Sequence, residues 1–213
     1  GVVANLESVS NLLKTKYPDI LWLVDAVSSM AGIKIEVDAL GIDLILSSTQ
    51  KAWGLPAGFS VCAISERMIN KSKSINNKGY FLNVEVYEKY YNKMQTPFTP
   101  SIPHMYGFKY ILKKIHEEGL EKRWKNHQDM AIYTRDWALN HNQELFPHSS
   151  CLSNTITCIK NIQKWNISRI NLSLLDYGYR MDRGYGKLKG VTFRISHMGN
   201  ITLDDIKEYL SIF

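Results

Sequence analysis

The chain has 213 residues, 45% hydrophobic and 22% charged, and its 26 Lys and Arg against 20 Asp and Glu give a formal charge of +6. That length makes one large domain or two small ones and buries a core without staples. The composition excludes a disordered chain, a collagen and a disulfide scaffold. Three cysteines, Cys62, Cys151 and Cys158, show no C-x-x-C spacing, which points to a reducing compartment, read here as cytoplasmic, and away from structural zinc. No apolar run approaches the roughly eighteen residues of a membrane span. The start, Gly1-Val2-Val3-Ala4-Asn5, has neither a secretory signal nor an initiator Met, so processing or a beginning mid-protein is expected.

Leu6, Val9, Leu12 and Leu13 share one helical face, and Tyr17-Pro18-Asp19 closes that helix, because the residue before a proline avoids the helical region. The run 20–24 is continuously apolar and suits a strand covered on both faces, as in a parallel sheet. A short helical stretch near 37–40 precedes a second run, 42–46. A third run, 59–64, follows Gly54-Leu55-Pro56-Ala57-Gly58. This alternation belongs to the α/β class. Residues 66–101 read as a long connection with some short helix inside. Met105, Phe108, Ile111, Leu112 and Ile115 mark a helix ending at Gly119, and a second helix runs from about 120 to 140. The remainder predicts a small α+β unit: strands over 155–159 and 191–196, a helix over 167–175, and a last helix opened by Thr202 and Asp205 with Leu203, Ile206 and Leu210 inward.

Three features carry chemistry. Asp25 ends the first apolar run, where ligands sit in open α/β sheets; it either caps the following turn or pairs with a protonated ligand nitrogen. Lys51 follows the second run and precedes a Gly- and Pro-rich loop; it is either a surface lysine or, with its pKa lowered by desolvation, a Schiff-base nucleophile. Arg194 lies inside an apolar strand and needs an anionic partner, either a substrate carboxylate or a neighbouring Asp or Glu. Together the three residue types match the needs of pyridoxal phosphate chemistry on an amino acid.

Val24-Asp25-Ala26-Val27-Ser28-Ser29, then Gly41-Ile42-Asp43, then Gln50-Lys51 with Pro56-Ala57-Gly58, resembles the class V aminotransferases of fold type I. Within them it is most similar to the alanine–glyoxylate, serine–pyruvate and serine–glyoxylate aminotransferase group. Gln50 before Lys51 favours that group over the cysteine desulfurases, which usually have His there, and over the phosphonate transaminases, which tend to have Asn. Gly186-Lys187-Leu188-Lys189-Gly190, continuing to His197-Met198-Gly199, resembles the group's C-terminal arginine motif. Thr96-Pro97-Phe98-Thr99-Pro100-Ser101 resembles its linker before the long helix.

The resemblance implies an α/β fold of type I: a partial large PLP-binding domain over 1–118, with a long linker 66–101 and an interdomain helix 103–118, and a small C-terminal α+β domain over 119–213. It implies pyridoxal 5'-phosphate as cofactor and amino-group transfer from alanine or serine to glyoxylate or pyruvate. It also implies a homodimer with the site at the subunit interface. Lys51 would carry the cofactor and move the proton, and Asp25 would pair with the pyridine nitrogen. Val27 would pack on the ring face, Gln50 would bond the ring hydroxyl, and Arg194 would bind the substrate carboxylate. Thr99 or Ser101 would reach the phosphate of the neighbouring subunit's cofactor; Phe98 stands where the family often has Tyr. Gly1 matches the glycine that ends the family's His-x-Glu-Thr-x-x-Gly-like segment. The part before it would supply the phosphate loop and the stacking ring, so the chain is expected to be a fragment.

Two other readings keep a place. One is another class V enzyme of the lyase or desulfurase type. The other is a non-catalytic nucleic-acid-binding or interaction module, from the Lys and Tyr residues interleaved over 71–93. Glu85 and Glu88 dilute that stretch, which fits a subunit interface or substrate-access segment better. No nucleic-acid, membrane or metal partner is expected. Gly184-Tyr185-Gly186 lacks the third glycine and the preceding strand of a nucleotide fingerprint.

Overall fold

The computed structural model describes residues 1–213. Helix α1 (Leu6–Lys16) begins where the Asn5 side chain accepts from the Ser8 amide at 2.9 Å, and it stops at Tyr17 beside Pro18. Strand β1 (Leu23–Asp25) is shorter than the apolar run predicts. The reason lies in side chains that take the preceding backbone: the Trp22 amide donates to Asp43 at 2.8 Å, and Arg67 donates to the Ile20 carbonyl at 2.9 Å. Helix α2 (Val37–Leu40) ends at Gly41, whose φ of 76° suits a residue without Cβ. Strand β2 (Leu44–Ser48) then pairs parallel with β1, and β3 (Ser60–Ile64) returns antiparallel to β2. The loop 49–59 between them has no crossover helix, and a parallel return would need one.

This sheet has the order β1-β2-β3. Cover on both faces is not what the structure shows. Val24 and Ile45 are buried, whereas Leu23 is 55% exposed and Leu46 36%. The packing partners Leu6 of α1 and Val37 and Leu40 of α2 all lie on the Val24–Ile45 side.

The stretch 66–101 holds two helices, α3 (Glu66–Lys73) and α4 (Val84–Tyr91), opened by the Ser65 and Asn83 side chains. Helix α5 (Ile102–Glu118) has Pro103 in its first turn and closes at Gly119, and α6 (Leu120–Asn140) follows at once. A second sheet, order β4-β5-β6, is antiparallel throughout: β4 (Glu144–Leu145), β5 (Ile156–Lys160) and β6 (Thr192–Ser196). β4, two residues long, gives no periodicity to read. Helices α7 (Ile167–Asp176) and α8 (Leu203–Ile212) complete this part, the latter with the Thr202–Asp205 capping box in place.

The largest core lies here, where Met130 and Ala138 of α6, Ile159, Leu174, Phe193, Ile195, Ile206 and Leu210 pack together. Burying a side chain of this kind contributes about 1.5–3 kcal/mol. The chain's beginning is tied to the segment before β5: Val2 bridges Leu152, and the Val3 amide donates to the Cys151 carbonyl at 2.9 Å.

Candidate active site

Parallel pairing of β1 and β2 puts their carboxyl ends on one edge of the sheet, the edge where open α/β sheets hold ligands. Asp25 is the last residue of β1, and Lys51 lies just beyond the end of β2. Asp25 Oδ1 accepts from the Val27 amide at 2.9 Å, so the turn-capping role is real for that oxygen, and the side chain remains exposed on the cavity. The lysine loop is pinned from below. Thr49 Oγ1 donates to the Pro56 carbonyl at 2.7 Å, Trp53 Nε1 to Ser47 Oγ at 3.0 Å, and the Gly54 amide to the Lys51 carbonyl at 2.9 Å.

Asp25, Gln50, Lys51 and Arg194 all line one cavity of about 1640 Å³. Val27 stands beside it: its amide serves Asp25, and its carbonyl accepts from Ser47 Oγ at 3.4 Å. Thr99 and Ser101 lie outside it. Thr99 is exposed, and the Ser101 hydroxyl is bonded to His104 Nδ1 at 2.7 Å.

Arg194 sits within β6 and already has an anionic partner. Its Nε donates to Asp182 Oδ1 at 3.0 Å and its Nη2 to Asp182 Oδ2 at 2.5 Å. Of the two partners left open by the sequence, the neighbouring carboxylate is the one seen. That guanidinium holds Asp182 below the usual carboxylate range, with the Lys51 charge adding to the effect.

A buried layer behind the cavity was not legible as functional in the sequence. Arg123, only 3% exposed, projects from the start of α6. Its Nε donates to the Ala31 carbonyl at 3.0 Å, its Nη1 to Glu118 at 3.0 Å, and its Nη2 to the Ala52 carbonyl at 2.7 Å and the Gly199 carbonyl at 3.2 Å. One side chain thus ties the segment after Asp25, the loop of Lys51 and the end of the arginine motif. One turn on, His127 receives the Gly199 amide on Nε2 at 3.3 Å and faces the Arg123 carbonyl with Nδ1 at 2.8 Å. A carbonyl only accepts, so Nδ1 carries the proton and the ring is neutral; burial pushes its pKa down.

Gly199 has φ 92°, and a Cβ there would stand 3.4 Å from Gly54 Cα and 3.5 Å from the Lys51 carbonyl, so the arginine motif and the lysine loop meet backbone to backbone. His197 is fully buried, with Nε2 on Thr157 Oγ1 at 2.8 Å and Nδ1 on the Asn154 carbonyl at 3.1 Å. Burial, aided by the Arg135 charge, pushes its pKa down to about 3. The signal available in the sequence was the polar pair Arg123 and His127 on the same α6 stripe as Met130, Ala131, Thr134 and Ala138.

The α/β architecture, with its parallel β1–β2 pair and a second antiparallel sheet, is that of a fold type I aminotransferase. The chain belongs to the class V aminotransferases: the family model, aminotransferase class-V, matches residues 1–185. Among relatives, it is 35% identical over 184 residues to an uncharacterised aminotransferase of Methanocaldococcus jannaschii, covering 85% of this chain and 48% of that protein. It is 32% identical over 215 residues to a serine–glyoxylate aminotransferase of Arabidopsis thaliana, covering 94% of this chain and 51% of that one. The crystal structure of an alanine–glyoxylate aminotransferase from a Nostoc species superposes with a TM-score of 0.91 at 26% identity, covering 100% of this chain and 57% of that chain. The chain spans about half the length of the curated relatives it matches. The family uses pyridoxal 5'-phosphate, and no helix of the chain is long and apolar enough to cross a membrane.

The residues at the cavity fit that cofactor. Lys51 offers a primary amine for an aldehyde, Asp25 a carboxylate for a ring nitrogen, and Gln50 a carboxamide for a ring hydroxyl. The space they share exceeds the 300–1,000 Å³ typical of small-molecule sites.

Proposed function

We propose that this chain is the lysine-bearing part of an aminotransferase that moves an amino group from alanine or serine to glyoxylate or pyruvate, with pyridoxal 5'-phosphate as cofactor. The observation that carries the reading is the convergence of Asp25, Gln50, Lys51 and Arg194 on one cavity. Relatives named for glyoxylate transamination support the acceptor. The cofactor, when bound, supplies an electron sink that acidifies the substrate Cα–H bond.

The chain's own residues do the rest. Lys51 would hold the cofactor at its aldehyde through Nζ and would hold and move a proton at that atom. Asp25 would keep the ring nitrogen protonated, Gln50 would donate from its carboxamide to the ring hydroxyl, and Val27 would pack on the ring face. Arg194 orients the substrate by its carboxylate, which fixes the Cα–H bond for proton transfer. Thr99 or Ser101 would serve the phosphate of the neighbouring subunit's cofactor in a homodimer. The chain divides into the C-terminal part of a PLP-binding domain over 1–118 and a small domain over 119–213.

The test is chemical trapping. The protein is incubated with pyridoxal phosphate, reduced with borohydride and mapped by peptide mass spectrometry. One adduct at Lys51, absent in Lys51→Ala, is expected. An adduct on another lysine with Lys51 unmodified would overturn the reading.

A further inference from the structure

Arg194 and Asp182 are locked together by main chain as well as side chain. The Arg194 amide donates to the Asp182 carbonyl at 2.9 Å, and the two residues form an antiparallel bridge. The Asp182 carboxylate collects three N–H donors: the Gly184 amide at 2.8 Å and Arg194 Nε at 3.0 Å on Oδ1, and Arg194 Nη2 at 2.5 Å on Oδ2. The side-on edge of the guanidinium, where Nε and Nη2 would grip a carboxylate with two parallel bonds, is therefore taken, and the end-on edge of Nη1 with the second Nη2 hydrogen is left.

The pair is not a buried structural ion pair. The side chains are 31% and 44% exposed, and both residues line the cavity that holds Lys51. Water reaches the pair, so it is exchangeable. A carboxylate held this way mimics the group a substrate would bring.

We propose that Asp182 is a specificity-determining residue that occupies Arg194 in place of the substrate carboxylate, so that an incoming amino or keto acid displaces it. The proposal rests on the reading of Arg194 as the substrate-carboxylate site. Asp182 has two effects. It weakens capture of a carboxylate on the side-on edge of Arg194, because that carboxylate must exchange with it. It also disfavours substrates with a second carboxylate, because the main-chain bridge keeps the displaced Asp182 charge close to the bound substrate. Small neutral side chains, those of alanine and serine, escape that second penalty.

The experiment uses propionate, a carboxylate with neither amine nor carbonyl, and succinate, its dicarboxylate counterpart, titrated into cofactor-free protein by calorimetry. Asp182→Asn keeps an acceptor for the Gly184 amide and removes the charge. It is expected to tighten propionate about fivefold, the factor to which about 1 kcal/mol converts, and to tighten succinate by more. In turnover, the KM for alanine should fall in the same direction. Propionate binding that is unchanged or weaker in Asp182→Asn overturns the proposal. Arg194→Met separates the two levels of the argument. If it abolishes propionate binding while Asp182→Asn changes nothing, only the role of Asp182 fails. If Arg194→Met binds propionate as the wild type does, the assignment of Arg194 fails and this inference with it.

Discussion

Acidification is expected to destabilise this protein through His197 before its carboxylates protonate. His197 is fully buried and neutral, with a pKa near 3, against about 6.5 in an unfolded chain. A histidine with a depressed folded pKa contributes stability that is complete above about pH 6.5. That stability drains as pH falls toward the folded value, because the unfolded state takes up the proton first. Each pH unit inside the window costs about 1.4 kcal/mol, so the loss between pH 8 and pH 5 is about 2 kcal/mol from this residue. His127, also depressed by burial, adds to the loss in the same direction. The assay is urea unfolding followed by tryptophan fluorescence at pH 8 and pH 5, for the wild type and for His197→Asn. Asn keeps a donor for the Asn154 carbonyl but does not titrate. The variant is less stable at pH 8, and its loss on acidification is about 2 kcal/mol smaller. An identical acid-induced loss in the two proteins would refute the reasoning.

The core and the buried arginine make two further predictions. Phe193 of the edge strand β6 is fully buried in the largest core, stacked near Trp165 and Phe213; Phe193→Ala should cost about 3–5 kcal/mol of unfolding free energy with secondary structure retained by circular dichroism. Arg123→Met leaves Glu118 without its buried partner and three carbonyls without donors, and should cost about 3–5 kcal/mol; a change within 0.5 kcal/mol would show that the tie between the lysine loop and Gly199 is dispensable.

Local chemistry in the sequence determined much of the outline. Pro18 after Tyr17, Gly41, Gly119 and the Thr202–Asp205 pair set the ends of α1, α2, α5 and α8, because capping and φ restrictions act within a few residues. The apolar runs determined β2, β3, β5 and β6, and the motifs around Asp25 and Lys51 lie within the stretch that matches the family. Tertiary structure alone decided which faces are covered. β1 shortened because Asp43 and Arg67, distant in sequence, took its neighbours' backbone groups. It alone decided that Asp182 would meet Arg194, since a strand bridge brings them together and no spacing rule foretells it. It alone turned Arg123 and His127 from polar interruptions of a helical stripe into a clamp on Ala31, Ala52 and Gly199. Periodicity records which side of a helix faces inward; the backbone carbonyls that wait there come from segments up to 92 residues away, and only folding sets them within reach.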